Sequence, residues 1–250
     1  MKNTFISIII VLVTVSPAAV SAAEGKWSLD FEGGVVVPGY NNVQIPNNDT
    51  GTRFSLKNDL DIHQKAYYRL RLSYQLGKRH GLSILYAPLS LKADGTLNET
   101  VSFAGTNFDS GSKVQAFYRF NSYRLTYKYL LVDKPKIHFW IGFTAKIRDA
   151  EIKVETNTKR ALKANVGFVP LLHLYLEWFL GKKLGILVEV DALAAKQGRA
   201  EDVGASMFYK IEKNITFKWG YRFVEGGANG KDVYTFAMIN YAYGGVIVRF

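Results

Sequence analysis

Between Lys65 and Leu76 the chain alternates with a period of two. Tyr68, Leu70, Leu72, Tyr74 and Leu76 occupy one parity, and Lys65, Tyr67, Arg69, Arg71, Ser73 and Gln75 the other. Successive side chains of a strand point to opposite faces, so this pattern predicts a strand with one apolar and one polar face. The same alternation recurs in 160–180, where Leu162, Ala164, Val166, Phe168, Leu172, Leu174, Leu176, Trp178 and Leu180 oppose Lys163, Asn165, Gly167, His173, Tyr175 and Glu177. In 215–225, Phe217, Trp219 and Tyr221 oppose Lys218, Gly220 and Arg222, and in 26–37, Trp27, Leu29 and Phe31 oppose Ser28, Asp30 and Glu32. Ten such segments are predicted: 26–37, 65–76, 81–93, 113–130, 136–154, 160–180, 184–197, 202–211, 215–225 and 232–250. Several exceed the usual soluble strand and match the roughly 9–11 residues that cross a bilayer at a tilt.

The connections sharpen the expectation. Short polar turns at 77–79, 133–135, 181–183 and 212–214 alternate strictly with longer links at 38–64, 94–112, 155–159, 198–201 and 226–231. That is the layout of a transmembrane β-barrel with short turns on one side and loops on the other. The expected fold is all-β: a single antiparallel barrel of about ten strands, with eight or twelve as the alternatives because 184–211 can be divided differently. The apolar faces would meet lipid and the polar faces line the lumen.

Aromatic residues favour this over a soluble sandwich. Trp27, Tyr74, Tyr127, Tyr129, Phe139, Trp178, Phe217, Trp219 and Phe250 all fall at the strand ends joined by the short turns. Tyr and Trp prefer the membrane–water interface, so a girdle is expected there. The chain ends Val246-Ile247-Val248-Arg249-Phe250. A terminal aromatic behind alternating apolar residues resembles the assembly signal of bacterial outer-membrane β-barrel proteins. The resemblance implies a barrel handed to the barrel assembly machinery through its last strand. Counting back from Phe250 places Asn240 on the lipid face, which predicts a bulge near Gly244-Gly245 or a different register.

The beginning of the chain fits export. Lys2, the apolar run 5–15 and the small residues up to Ala23 form the three parts of a secretory signal peptide. Cleavage is expected after Ala22 or Ala23, dividing the chain into a signal peptide, 1–22, and a barrel, 23–250. No cysteine is present, which excludes a cysteine-linked lipid anchor, disulfides and thiolate metal sites. Composition adds 15 Tyr, 16 Phe and 22 Gly against 6 Pro, which suits long paired strands. The net charge of +11 falls to +10 when Lys2 leaves with the signal. Secretion separates the chain from nucleic acid, and no glycine-rich nucleotide loop is present, so no cofactor is expected.

The face assignment gives a charged lumen. Its acids are Asp30, Glu32, Glu177, Glu189 and Asp191. Its bases are Arg69, Arg71, Arg124, Lys128, Lys146, Arg148, Lys163, Lys210, Lys218 and Arg222. A barrel this narrow is near the size at which side chains fill the interior, so a network of paired charges is the first expectation. Because bases exceed acids, a narrow anion-preferring channel is the second. Glu189 and Asp191, two apart on one face, are candidates either to share a proton or to serve as salt-bridge partners, and His173 is expected as a buried hydrogen-bonding group.

A third expectation is a hydrolase at the outer rim. Omptin-type proteases use acidic residues and a histidine there, and Asp59, Asp61 and His63 occupy a comparable place, without a second acidic cluster. Barrel lipid A deacylases carry a His-x-Ser arrangement that this chain lacks. Basic residues Arg53, Lys57, Lys153, Lys159 and Arg160 form an outer rim able to meet lipopolysaccharide phosphates. The leading expectation is a non-enzymatic structural or surface-binding protein whose partners are outer-membrane lipid and lipopolysaccharide.

Overall fold

A computed structural model describes residues 25–250, so the expected signal peptide lies outside the described residues. The strands are β1 (Trp27–Gln44), β2 (Phe54–Ser55), β3 (Asp61–Ile62), β4 (Lys65–Leu76), β5 (His80–Ala87), β6 (Ser90–Thr96), β7 (Val101–Phe103), β8 (Thr106–Phe108), β9 (Lys113–Lys134), β10 (Ile137–Glu155), β11 (Arg160–Phe179), β12 (Leu184–Ala195), β13 (Gly198–Lys210), β14 (Ile215–Asn229) and β15 (Tyr234–Arg249). Ten of them close a ring in the order β1, β4, β5, β9, β10, β11, β12, β13, β14, β15, with β15 returning to β1, and every pairing is antiparallel. Closure leaves no open first or last strand, which is what a sheet surrounded by hydrocarbon requires.

The segment expected as one strand over 81–93 is two. Pro88 has no N–H for the ladder, and the chain steps aside there before β6 rejoins β9. Leu89 N donates to Asn121 Oδ1 at 3.1 Å and its carbonyl accepts from Phe120 N at 2.8 Å, so the break leaves no orphaned backbone group at that residue. The connections also differ from expectation. The link expected at 155–159 is a tight turn over 156–159, whereas 198–201 belong to β13, which follows the turn Lys196-Gln197, and 226–229 belong to β14, which turns over 230–233. Only the first two outer connections are long. At the opposite end, Gly77 turns the β4–β5 hairpin with φ +62°, in the left-handed region that glycine enters without strain.

No bulge occurs at Gly244-Gly245, where the β1–β15 ladder runs unbroken; the register shift lies at Pro38/Tyr40 in β1. Asn240 therefore does face outward. It is accommodated by hydrogen bonds from the Tyr221 hydroxyl to its Oδ1 and from its own Nδ2 to the Val37 carbonyl, 3.1 Å.

The outer wall is apolar over its middle, with Phe143, Val166, Phe168, Leu125 and Ile84 among the most exposed side chains. Trp27, Tyr74, Tyr127, Tyr129, Trp178, Phe217, Trp219 and Phe250 surround the end that carries the termini and short turns, where Trp27 and Phe250 are joined by two 2.9 Å backbone hydrogen bonds. A second aromatic group stands six residues up the strands: Tyr68, Tyr86 and Tyr123, with ring centroids 6.2 and 5.3 Å apart. Six residues span about 20 Å along a strand and, at a tilt of about 40°, about 15 Å along the barrel axis; exposed apolar positions continue past the second group at Val166 and Leu162.

Inside, the outer third is plugged. The long connections carry Ile45, Phe54, Leu56, Leu60, Leu97, Phe103 and Phe108 into one buried cluster with Val43, Val114, Tyr118, Ile152 and Val154 of the wall. Backbone bonds Ala104 N to Ile45 O (2.7 Å) and Thr52 N to Ser102 O (2.9 Å) fasten the β7–β8 hairpin to the first loop. Phe103 is fully buried and packs edge-on against Phe54. Phe103→Ala is expected to cost the cap about 3–5 kcal/mol. Limited proteolysis should then cut within 46–53 or 98–112 while the barrel keeps its heat-modifiable gel migration.

Candidate functional site

Beneath the plug, inward positions of six strands meet in one layer of charge. Arg222, 1% exposed, is its hub: its guanidinium donates to Asp202 Oδ1 (2.6 Å), Glu189 Oε2 (2.9 Å) and Glu32 Oε1 (3.2 Å). Arg124 bridges Asp191 (2.7 Å) and Asp202 (2.6 Å) and reaches back to Ser122 Oγ. Arg69 donates to Asp202 at 3.0 Å and lies 3.6 Å from Glu32, and Arg71 pairs with Glu189. Lys218 is shared between Asp30 (2.6 Å) and Glu32 (2.7 Å). His173 Nδ1 meets Asp191 Oδ1 at 2.8 Å, and Thr144 donates to the same oxygen.

Strand pleat explains the convergence. Asp30 and Glu32 of β1, Arg69 and Arg71 of β4, Glu189 and Asp191 of β12, and Lys218 and Arg222 of β14 each sit on the inward parity of their strands. Gly204 faces the same space. A Cβ there would lie 2.9 Å from the Arg222 guanidinium carbon, so the missing side chain makes the hub's room.

Asp202 was not among the residues singled out from sequence, yet Arg69, Arg124 and Arg222 all converge on it. With it, five carboxylates (Asp30, Glu32, Glu189, Asp191, Asp202) face five cations (Arg69, Arg71, Arg124, Lys218, Arg222), and the layer is balanced rather than basic. Glu189 is held by Arg71 and Arg222, and Asp191 by Arg124 and His173, so each of the two serves as a salt-bridge partner. Ligand atoms of His173, Glu189 and Asp191 approach within 4.8 Å of one another. Their oxygens are committed to Arg71, Arg124 and Arg222, and a divalent cation would have to displace guanidinium groups to bind.

The remaining lumen residues stand apart from the layer. Glu177 belongs to a cavity of about 370 Å³ at the short-turn end, with His138 3.4 Å away and Lys128 3.8 Å over the Tyr175 ring. Lys210 lines the same space. Lys146, Arg148 and Lys163 line a cavity of about 390 Å³ on the other side of the layer.

The rim residues are largely engaged. Asp59 accepts from Ser55 N at 2.7 Å, and His63 contacts Asp94 at 2.7 Å, both of that pair exposed; Asp61 lies opposite Asp94 in the β3–β6 ladder. None of these lines either of the two lumen cavities. Lys153 pairs with Glu155, Arg160 lies 4.0 Å from Glu155, and Arg53 stacks 3.9 Å over Tyr234. Lys57 donates to the Gly39 carbonyl, and Lys159 binds Asp109 at 2.8 Å, holding that carboxyl below the usual range.

No family model and no curated protein matches the chain. Among solved structures, the outer membrane protease OmpT from Escherichia coli superposes with TM-score 0.55 over 92% of this chain and 98% of that one, at 9% identity. The chain has the fold of an outer-membrane β-barrel. At that identity the likeness concerns the fold, and the apolar wall between two aromatic groups makes the barrel an integral membrane one. The transport unit of the autotransporter AIDA-I from Escherichia coli (TM-score 0.48, 7% identity, 92% of each chain) and Ail from Yersinia pestis (0.37, 9%, covering 90% of this chain and 99% of that) lie further off.

Removing Asp202 tests the layer. Asp202→Ala leaves three buried guanidinium groups without their common acceptor, a class of change that costs about 3–5 kcal/mol. Equilibrium urea unfolding in lipid vesicles should show that loss, while Asp149→Ala at the partly exposed outer Arg119 pair should cost under about 1 kcal/mol.

Proposed function

We propose that this barrel is a closed, non-enzymatic outer-membrane protein with a structural or surface-binding role, exported by cleavage of residues 1–22 or 1–23 in a Gram-negative-type cell. The balanced layer carries the reading. Ten charges neutralise one another across the full lumen, and each is at most slightly exposed except Arg71 at its lower margin. A permeating ion would have to separate pairs whose members then lie buried and uncompensated, which costs several kcal/mol per charge. The plug above adds a second barrier that carries no charge. Partners follow from the surface: membrane lipid along the apolar wall, lipopolysaccharide at the upper rim, and the barrel assembly machinery at β15, whose terminal Phe250 stays accessible.

A narrow anion-preferring channel is the second reading. It is favoured by bases without carboxylate partners on both sides of the layer, Lys146, Arg148 and Lys163 above and Lys128 and Lys210 below. Planar-bilayer recording separates the two. The closed reading expects no steady unitary current from the wild type. It expects discrete openings from Arg222→Ser combined with Asp202→Ser, which hollows the layer while keeping its charge balanced. Steady anion-selective openings in the wild type would replace the first reading by the second.

A further inference from the structure

The barrel wall is incomplete near its outer end. β11 is hydrogen-bonded to β10 along its whole length, from Glu155↔Arg160 to Ile137↔Trp178. On its other side it meets β12 only from Leu172 to Phe179, because β12 stops at Ala195 and turns back into β13. Residues 160–171 therefore present a free sheet edge, and Pro170, a residue that sheets confine to edges, stands where the pairing ends. Side chains of both parities are open along this stretch: Lys163 and Asn165 on the inward face are exposed like Leu162 and Ala164 on the outward one, and Val166 and Phe168 reach 70% and 64%. Ten residues separate Val169 from Phe179. At about 3.3 Å per residue and a tilt of about 40°, the opening begins about 25 Å above the short-turn end, at the headgroup level of the outer leaflet.

Behind the opening lies the cavity of about 390 Å³, lined by Tyr118, Phe120, Ile152 and Val169 together with Lys146, Arg148 and Lys163. Lys146 is 2% exposed, yet among the described residues it has no carboxylate within salt-bridge distance. Its ammonium rests 4.8 Å from the Phe120 ring. The nearby acids Asp191 and Asp202 are already held by Arg124. Arg148 donates to Asn165 Oδ1 at 2.7 Å and leaves its buried Nε unpaired. Of the carboxylates bordering the cavity, Glu151 is held by Arg119 at 2.9 Å and Glu225 by Arg199 at 2.7 Å, while Asp232 remains at the mouth. A buried cation without a counter-charge is costly and uncommon. Here two cationic side chains and the exposed Lys163 adjoin one apolar space.

We propose that this cavity binds a single-chain anionic amphiphile, a carboxylate or phosphate head on one apolar tail, which enters sideways across the free edge of β11 from the outer leaflet. The head is held by Lys146, Arg148 and Lys163, and the tail lies against Tyr118, Phe120, Ile152 and Val169. The volume is at the low end of small-molecule sites, which suits one chain and excludes a lipid with several. This assignment deepens the surface-binding reading but does not require the lumen to be shut, since current recording tests closure and the binding experiment below does not.

The test is calorimetric titration of the folded barrel in neutral maltoside micelles with decanoate, against decanol and inorganic phosphate, with empty micelles as the blank. Saturable decanoate binding that weakens with salt is expected, at least about tenfold tighter than decanol or phosphate. Lys146→Met should weaken it at least about tenfold while leaving the melting temperature unchanged or higher, because no ion pair is lost. Lys163→Gln, at an exposed position that folding tolerates, should weaken it in the same direction. Ala164→Trp fills the wall opening and should abolish binding. Equal binding by wild type and both lysine variants, phosphate binding as tight as decanoate, or no saturable binding would overturn the site. Unchanged binding in Ala164→Trp would overturn the sideways route and place entry at the outer mouth.

Discussion

The barrel depends on burying charge in equal numbers. A ten-strand ring encloses a space that side chains can fill, and the inward parity of its strands is polar because the outward parity must be apolar for lipid. Those polar groups leave bulk water on folding, and isolated ions would make the closed ring untenable. Arg222 resolves this by touching Glu32, Glu189 and Asp202 from three different strands at once. The same contacts tie β14 to β1, β12 and β13, and Arg69 and Arg124 extend them to β4 and β9. One set of ion pairs thus ties six strands of the ring together.

Above and below this layer the constraint relaxes, and the barrel does different things with the space. On the outer side two long connections fold inward and supply apolar side chains, so the plug needs no charge pairing. On the inner side the cavity stays open, with Lys128 held by aromatic faces rather than by an acid. Beside the shortened β12, unpaired cations and apolar wall coincide with an opening towards the outer leaflet, where an amphiphile could enter.

Much of this was legible in residue parity. The ten ring strands, the inward face and the aromatic end all follow from alternation, because a lipid-facing wall imposes it residue by residue. Asp202 was readable too: Asp202, Gly204, Ser206, Phe208 and Lys210 share one parity against Val203, Ala205, Met207 and Tyr209. The run Gly198-Arg199-Ala200-Glu201 has the composition of a link although it is paired strand, which leaves Asp202 at the margin of the alternating segment 202–211. The plug was harder to see. Val43, Ile45, Phe54, Leu56, Phe103 and Phe108 follow no period, and polar neighbours dilute them. Which inward cations find acids, and that Lys146 does not, depends on strand stagger around the ring, which periodicity within a strand does not contain. The free edge did leave a trace: the segment 160–180 is longer than its successor 184–197.

The layer acts as one coupled unit centred on Arg222 and Asp202. A double-mutant cycle measures that coupling directly, using urea unfolding in vesicles of the wild type, Arg222→Met, Asp202→Asn and the double variant. The double variant should be more stable than the sum of the single losses allows, by about 1.5–3 kcal/mol. Additive losses, within about 0.5 kcal/mol, would contradict the coupling and leave the barrel held together by its wall and its plug alone.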